Sequence, residues 1–311
     1  MFTVKDILVA TKARLFSGSE DDILKGVCTD TRRLKKGELF LAIKGERFDG
    51  HNFILDAVSK GARGVLAQDG CIVNSKFRLP DMVFISVPNS IRALGDIANY
   101  HRNRFNIPFI GITGSNGKTT TKEMASAILS KKFDCLKSFG TENNQIGVPF
   151  TLLRLNANHK IAVLEMGTNH IGEIGRLSEI TRPTIAVITN VGPSHLEHLK
   201  DTDTVLKAKS EILEHLHKDG KLVVNADDES VCKMKTDFKM IRFGLKKTCD
   251  FYADNLNVEP DKINFRLNGK WEINLNLVGR HNVYNALAAI AASWDFGISI
   301  DDIRDALEEF K

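Results

Sequence analysis

One stretch constrains this chain more than any other: Ile107–Lys122, which reads IPFIGITGSNGKTTTK. The apolar run Phe109–Ile112 predicts a buried strand. It enters a glycine-rich turn, Thr113–Gly117. Lys118, Thr119, Thr120 and Thr121 follow, and a helix-forming run starts at Glu123. Strand, glycine loop, Lys-Thr and helix is the order a phosphate-binding loop requires. Glycines let the backbone N–H groups of Gly114, Ser115, Asn116 and Gly117 point inward at phosphate oxygens, and the helix N-terminus adds partial positive charge. Lys118 can reach β- and γ-phosphates, and the Thr119 hydroxyl can ligate Mg²⁺.

The spacing departs from the common G-x-x-x-x-G-K-[ST] pattern. That pattern puts its first glycine at position 112, which is Ile112; here the glycines are Gly111, Gly114 and Gly117. Taken alone, a glycine-rich strand–helix turn with a chance Lys-Thr is the competing reading. The variant T-G-S-N-G-K-T-T resembles the ATP site of the Mur ligase and folylpolyglutamate synthetase superfamily, whose members use ATP to join a carboxylate to an amine.

At 311 residues the chain is too long for one small core and predicts two domains. Its formal net charge of +4 is mild and fits an anionic ligand without requiring one. No basic block with interleaved aromatics argues for nucleic acid. Five scattered cysteines (Cys28, Cys71, Cys135, Cys232, Cys249), none in a C-x-x-C pair, read as reduced thiols rather than a disulfide frame or zinc site. The N-terminus has no signal-peptide core, and no apolar run approaches membrane-spanning length. The expected compartment is the cytoplasm, with no membrane insertion.

The expected fold class is α/β: a small α/β N-terminal domain over residues 1–105, then a phosphate-loop domain over 106–311 with a mostly parallel sheet flanked by helices. In the first domain, residues 1–20 read as a helix and a turn, Glu38–Ile43 as a strand, Asn52–Lys60 as a helix stopped by Gly61, Gly64–Ala67 and Met82–Val87 as strands, and Ser90–Phe105 as a helix. Thr29, Asp30, Thr31 and Arg32 precede a strand and, alone, read as a solvated turn. In the second domain the strand candidates are Phe109–Ile112, Ile161–Glu165, Ile185–Asn190, Lys221–Asn225, Met240–Phe243 and Trp271–Leu277. Parallel sheets of this kind bind ligands outside the carboxyl ends of their strands.

Polar residues fall at those ends. Glu165 closes its strand and is placed to hold Mg²⁺ beside a phosphate loop, or is an exposed strand-end carboxylate. The segment Asn190–His195 follows the next strand; His195 could ligate a metal, polarise a phosphate or be structural. Lys209, in LKAKSEI, reads by pattern as a solvated helix lysine. The run GRHNVYNALAAIA from Gly279 begins a small-residue helix, where Asn282 and Asn285 offer amides suited to a purine edge or form an N-cap cluster.

Over essentially its whole length the chain resembles the Mur ligase family. Thr141-Glu-Asn-Asn-Gln-Ile-Gly-Val-Pro149 with the following Phe-Thr-Leu-Leu, Glu165-Met-Gly-Thr-Asn-His-Ile-Gly-Glu-Ile174, Ser194-His-Leu-Glu and Ala208-Lys-Ser-Glu-Ile occur in the family's order. Within the family they resemble the branch that joins D-alanyl-D-alanine to UDP-N-acetylmuramoyl-tripeptide. Asp30-Thr-Arg32, Gly37-Glu-Leu-Phe and Asp49-Gly-His51 resemble its uridine-binding domain.

The resemblance implies roles. Lys118 and Thr119 hold ATP phosphates and Mg²⁺; Glu165 and His195 are metal ligands; Lys209 matches a carbamylated lysine, whose carbamate is an anion able to ligate Mg²⁺. Asn282 and its neighbours face adenine. Asn143 and Asn144 lie near the transfer site and muramyl peptide, and Thr31, Arg32, Lys44 and His51 lie in the uridine domain. The family's third, C-terminal domain is absent from these residues: either the chain is truncated before it, or the domain lies on another chain and a C-terminal domain in trans is a partner. The alternatives are the ligase adding the third peptide residue, folylpolyglutamate synthetase, and a non-catalytic nucleotide-binding module.

Overall fold

A computed structural model describes residues 1–45, 48–71, 82–192 and 201–310. The chain forms two compact units, Met1–Asn103 and Arg104–Lys311.

The first unit is built on a five-stranded sheet in the order Arg14–Ser17, Val83–Val87, Gly64–Gln68, Leu39–Leu41, Val27–Cys28. The edge strand Arg14–Ser17 runs antiparallel to its neighbour and the rest are parallel. The helix Val4–Thr11 starts at a reciprocal cap in which Thr3 Oγ accepts from Asp6 N–H and Asp6 accepts from Thr3 N–H. It packs on the helix Ser90–Arg102, and the Tyr100 hydroxyl donates to Asp6 at 2.8 Å. Two expectations shift here. The first twenty residues add the strand Arg14–Ser17 to the expected helix, its alternating half-burial marking an edge. The last helix ends at Arg102, three residues short of Phe105.

The second unit carries a nine-stranded sheet. From one edge the strands are Cys135–Lys137, Ile161–Glu165, Phe109–Thr113, Ile185–Ile188, Lys221–Asn225, Lys239–Gly244, Phe251–Val258, Ile263–Leu267 and Trp271–Leu275. The pairings are parallel as far as Phe251–Val258 and antiparallel across the last three strands. The three central strands, Ile161–Glu165, Phe109–Thr113 and Ile185–Ile188, are buried along their whole length and mostly apolar, as parallel strands covered on both faces are. The final three alternate buried and exposed residues, as a one-sided antiparallel sheet does.

The helix His281–Ser293 is buried nearly all round. Ala286, Ala288, Ala289, Ala291 and Ala292 let it lie close against the helix Lys118–Ser130, which springs from the phosphate loop. A bulky replacement at the fully buried Ala289 would overpack this seam, at a cost of about 1–3 kcal/mol. The seam fixes the helix whose first turn forms the site.

Candidate functional site

The strand Phe109–Thr113 lies between Ile161–Glu165 and Ile185–Ile188. In register, Glu165 sits beside Ile112 and Ile188 beside Thr113. All three strands end at one edge, and the turn Gly114–Gly117 leaves from the middle one. Two of its glycines are obligatory. Gly114 has φ +150°, and a Cβ there would come within 1.9 Å of Thr189 Oγ1; Gly117 has φ +80°, and a Cβ there would come within 2.2 Å of Asn285 Oδ1. Only a residue without a side chain permits both the backbone and the approach.

The neighbouring strand end braces the turn. Thr189 Oγ1 donates to the Asn116 carbonyl at 2.6 Å. Asn190 accepts from Asn116 N–H through Oδ1 and donates to the Asn116 carbonyl through Nδ2, each at 2.9 Å. Ser115 Oγ donates to the Gly192 carbonyl at 2.9 Å and accepts from Gly192 N–H at 3.0 Å. Asp228 accepts from Val191 N–H at 2.7 Å and holds that brace in turn. The loop therefore keeps its shape from within the protein, as a preorganised anion site needs.

Lys118 and Thr119 open the helix. The Lys118 ammonium folds back over the loop and donates to the carbonyls of Gly114 and Ser115 at 2.8 and 3.1 Å. Burial pushes its pKa down, and the Glu165 carboxylate partly opposes that. Thr119 Oγ1 donates to Glu165 Oε2 at 2.8 Å, and Asn143 Nδ2 donates to Glu165 Oε1 at 2.8 Å. The Glu165 N–H donates to Ser138 Oγ at 3.2 Å. Glu165 is 1% exposed, so its carboxylate is not the free strand-end group that its position alone allowed.

The pattern reading of Lys209 as a solvated lysine is corrected. It is 2% exposed, at the end of the helix Thr202–Ser210, and burial together with the like charge of Lys118 pulls its pKa down to about 8. Helical pattern cannot report this, because the burial comes from other parts of the chain. Two residues on, Glu211 accepts from Gly172 and Gly175 N–H at 2.7 and 3.1 Å and caps the helix Glu173–Thr181 that follows Glu165. His195 lies outside the described residues, as does the whole of Ser194-His-Leu-Glu.

The asparagines divide. Asn143 reaches Glu165. Asn144 Oδ1 accepts from Ile146 and Gly147 N–H at 3.0 and 2.9 Å and starts the helix Gly147–Leu153, so its amide oxygen serves the fold. Asn285 Nδ2 donates to Asn282 Oδ1 at 3.0 Å, Asn282 Nδ2 donates to the Val278 carbonyl at 2.8 Å, and Asn285 Oδ1 lies under Gly117. Both amides are engaged with the protein itself, and Asn285 belongs to the floor of the loop. Thr120 occupies the first turn beside Thr119.

The first unit has a cavity of about 410 Å³, lined by Thr29, Asp30, Thr31, Arg32, Phe40, Ile43, Phe48, Gly50 and Phe53. Asp30 and Arg32 pair through two oxygens and two nitrogens, and the guanidinium holds the Asp30 carboxyl down at about 2. The Thr31 hydroxyl, beside Asp56, helps to hold that carboxyl below its ordinary pKa. Lys44 and His51 are not among the lining residues. Lys44 bridges to Asp49 through the backbone. His51 Nε2 accepts from Gln68 N–H at 3.1 Å while Nδ1 faces Asp49, which requires the proton on Nδ1. Both ring nitrogens thus fasten the Asp49 turn to the sheet.

Sequence reasoning missed the residues that hold the site in place: Lys122, Ser138, Thr189, Asn190 as a brace, and Glu211. Their partners lie far off in sequence, and only the position of Thr189 and Asn190 at a strand end beside the loop signalled them.

Fold and site define a phosphate-loop α/β protein with a buried carboxylate at the loop's mouth. The comparisons narrow this. Residues 112–293 match the Mur ligase middle domain and residues 23–102 the Mur ligase family catalytic domain. The UDP-N-acetylmuramoyl-tripeptide--D-alanyl-D-alanine ligase of Bacillus subtilis (strain 168) is 37% identical over 99% of this chain and 67% of its own length. A crystal structure of MurF from Acinetobacter baumannii superposes with a TM-score of 0.90 at 33% identity, covering 100% of this chain and 68% of that one. MurF from Thermotoga maritima in complex with ADP gives 0.82 at 27% identity, over 92% and 66%. The chain belongs to the Mur ligase family. It spans about two thirds of the length of the curated relatives it matches. Among the described residues, no helix is long and apolar enough to cross a membrane.

Proposed function

We propose that the chain serves the ATP-dependent joining of D-alanyl-D-alanine to UDP-N-acetylmuramoyl-tripeptide in the cytoplasm, in peptidoglycan precursor synthesis. The observation that carries the reading is the Glu165 carboxylate, gripped by Thr119 and Asn143 at the mouth of a braced phosphate loop. The names of the relatives supply the substrates, and the ADP of the Thermotoga protein supports the nucleotide.

A divalent metal fits this donor set. Among the described residues no cluster of three His, Cys, Asp or Glu side chains forms a cage. Mg²⁺ does not need one: it is commonly held by one or two carboxylates with substrate phosphates and water. Glu165 and Thr119 would hold it, with Lys209 as a carbamate and His195 as further candidates. Bound there, the metal neutralises charge between two anionic reactants.

The chain's own residues do the rest. Loop N–H groups and the helix N-terminus cradle the ATP phosphates, and Lys118 exchanges its two carbonyl partners for phosphate oxygens. A terminal carboxylate oxygen of the tripeptide attacks the γ-phosphorus, the bond to the β-phosphate oxygen breaks, and ADP leaves. Lys118 counters the charge on the transferring group. The amine of D-alanyl-D-alanine then attacks the acyl carbon, loses a proton and expels phosphate, giving the amide. Asn143 orients Glu165 throughout. The cavity of the first unit, with Thr31 and Arg32 in its wall, suits the uridine nucleotide: aromatic rings for the base and a guanidinium for the diphosphate.

The test is ADP and phosphate release measured with and without UDP-N-acetylmuramoyl-tripeptide. The expected result is release that depends on the tripeptide. Nucleotide binding without any tripeptide-dependent release would leave only a nucleotide-binding module.

A further inference from the structure

Lys122 has no exposed surface, although its side chain carries a charge. Its Nζ donates to the carbonyls of Ser138 and Gly140 at 2.9 and 2.8 Å and pairs with Glu123 Oε1 at 2.8 Å. Three N–H groups meet three acceptors, which a buried ammonium requires. An apolar side chain of similar length would fill the space without the desolvation penalty of an ion. The charge therefore does something that packing does not need.

What it fixes is the segment that holds Glu165. The two carbonyls flank Phe139, whose ring is turned out to solvent. Ser138 Oγ accepts from the Glu165 N–H, and five residues beyond Ser138 the Asn143 amide donates to Glu165 Oε1. The Asn143 carbonyl also accepts from Gly167 N–H at 2.8 Å, on the far side of the carboxylate. Thr119, three residues before Lys122 on the same helix, holds the other oxygen. Residues three apart share a helix face. One face thus grips Glu165 twice, directly through Thr119 and indirectly through the segment pinned by Lys122.

We infer that Lys122 is a positioning residue for the phosphate-transfer site: it sets the place of the Glu165 carboxylate through the 138–143 segment, and so tunes how the site receives a divalent cation with the nucleotide. The inference rests on the ligase reading above. Partners one shell out from a metal ligand commonly change metal affinity or activity 10–100-fold, roughly, when removed.

The experiment is calorimetric titration with a non-hydrolysable ATP analogue, in magnesium and in EDTA, on wild type, Lys122→Met, Glu165→Gln and the double variant. Lys122→Met is expected to lower the magnesium affinity about tenfold and to leave the EDTA affinity unchanged. In the Glu165→Gln background the same substitution is expected to have no further effect on the ratio of the two affinities. Equal losses in both buffers, or losses that add in the double variant, would show a general structural role and overturn the inference. Should Lys122→Met fail to fold, Ser138→Ala removes only the acceptor for the Glu165 N–H and must give the same selective loss; an unchanged ratio there overturns the inference too. A wild type whose nucleotide binding ignores magnesium overturns the ligase reading and this inference with it. A magnesium-dependent wild type with a Lys122→Met variant like it overturns the inference alone.

Discussion

Thr119 Oγ1 and Glu165 Oε2 meet at 2.8 Å across the end of the parallel sheet, 46 residues apart in sequence. The hydroxyl donates here, and it can rotate to offer a lone pair to a cation, so the pair can pass from hydrogen bond to shared ligation without moving the backbone. Thr119→Val keeps the shape and removes that option. It is expected to reduce nucleotide affinity in magnesium by about tenfold or more, while Thr119→Ser retains most of it. Titration of both variants checks this, and equal binding by the valine variant would take Thr119 out of the metal site.

Lys118→Ala is expected to abolish ATP-dependent turnover while the fold survives. The ammonium is largely buried and burial depresses its pKa, so its charge opposes folding rather than supports it. Contacts from this ammonium to a bound phosphate would be charge-assisted and worth about 1.5–3 kcal/mol each. Thermal melting should therefore give a Tm equal to or above that of wild type, with nucleotide affinity strongly reduced. A variant that binds ATP as tightly as wild type would remove Lys118 from the phosphate site.

Asn285 separates the two readings of the small-residue helix. Its amide lies between Gly117 and Asn282, under the loop. Asn285→Ala leaves the Asn282 oxygen without its donor, and an unsatisfied buried group costs about 1–3 kcal/mol. The expected outcome is a lower Tm with an unchanged preference for ATP over GTP. A loss of base discrimination at constant Tm would return Asn285 to the purine edge.

The order of elements was legible because it depends on local signals. Phe109–Thr113, Ile161–Glu165 and Lys221–Asn225 are apolar runs of strand length, and Gly114 and Gly117 announce their backbone. The strands Phe251–Val258 and Ile263–Leu267 were not legible. Asp254, Asn255 and Asn257 interrupt the first, with a register shift between Asp254 and Asn257 and a positive φ at Asn255. Within the site, Lys118, Thr119 and Glu165 could be read from motif and strand end. The inward turn of Asn285 and the burial of Lys209 could not, because each is decided by residues distant in sequence: Thr121 Oγ1, on the helix Lys118–Ser130, reaches Asn285 Oδ1 from 164 positions away.

Lys209 should make stability depend on pH. Its pKa is lowered in the fold to about 8 from an ordinary 10.5, so the unfolded chain binds more protons between those values. Stability then rises with pH through that window: the charged form opposes folding below it, and the penalty disappears above it. The shift corresponds to roughly 3 kcal/mol. In carbon-dioxide-free buffer without nucleotide, Lys209→Met is expected to be more stable than wild type at neutral pH and to lose that rise. Parallel stability curves for the two proteins would contradict the burial of the charge.

The same depressed pKa prepares Lys209 for carbamylation. Only the neutral amine attacks carbon dioxide; the new N–C bond forms as the nitrogen loses a proton, and the product is an anion. At a pKa of about 8 a useful fraction is neutral near physiological pH, whereas an exposed lysine has almost none. A carbamate there would reverse the charge beside Lys118, turning repulsion between two ammonium groups into attraction, and would offer an oxygen donor to a divalent cation. With ¹³C-bicarbonate, wild type is expected to show a carbamate carbon signal that Lys209→Ala lacks. The alanine variant should lose turnover, and short carboxylic acids, which can place a carboxylate in the vacated space, should restore part of it. Full turnover in the variant without added acid would remove Lys209 from the reaction.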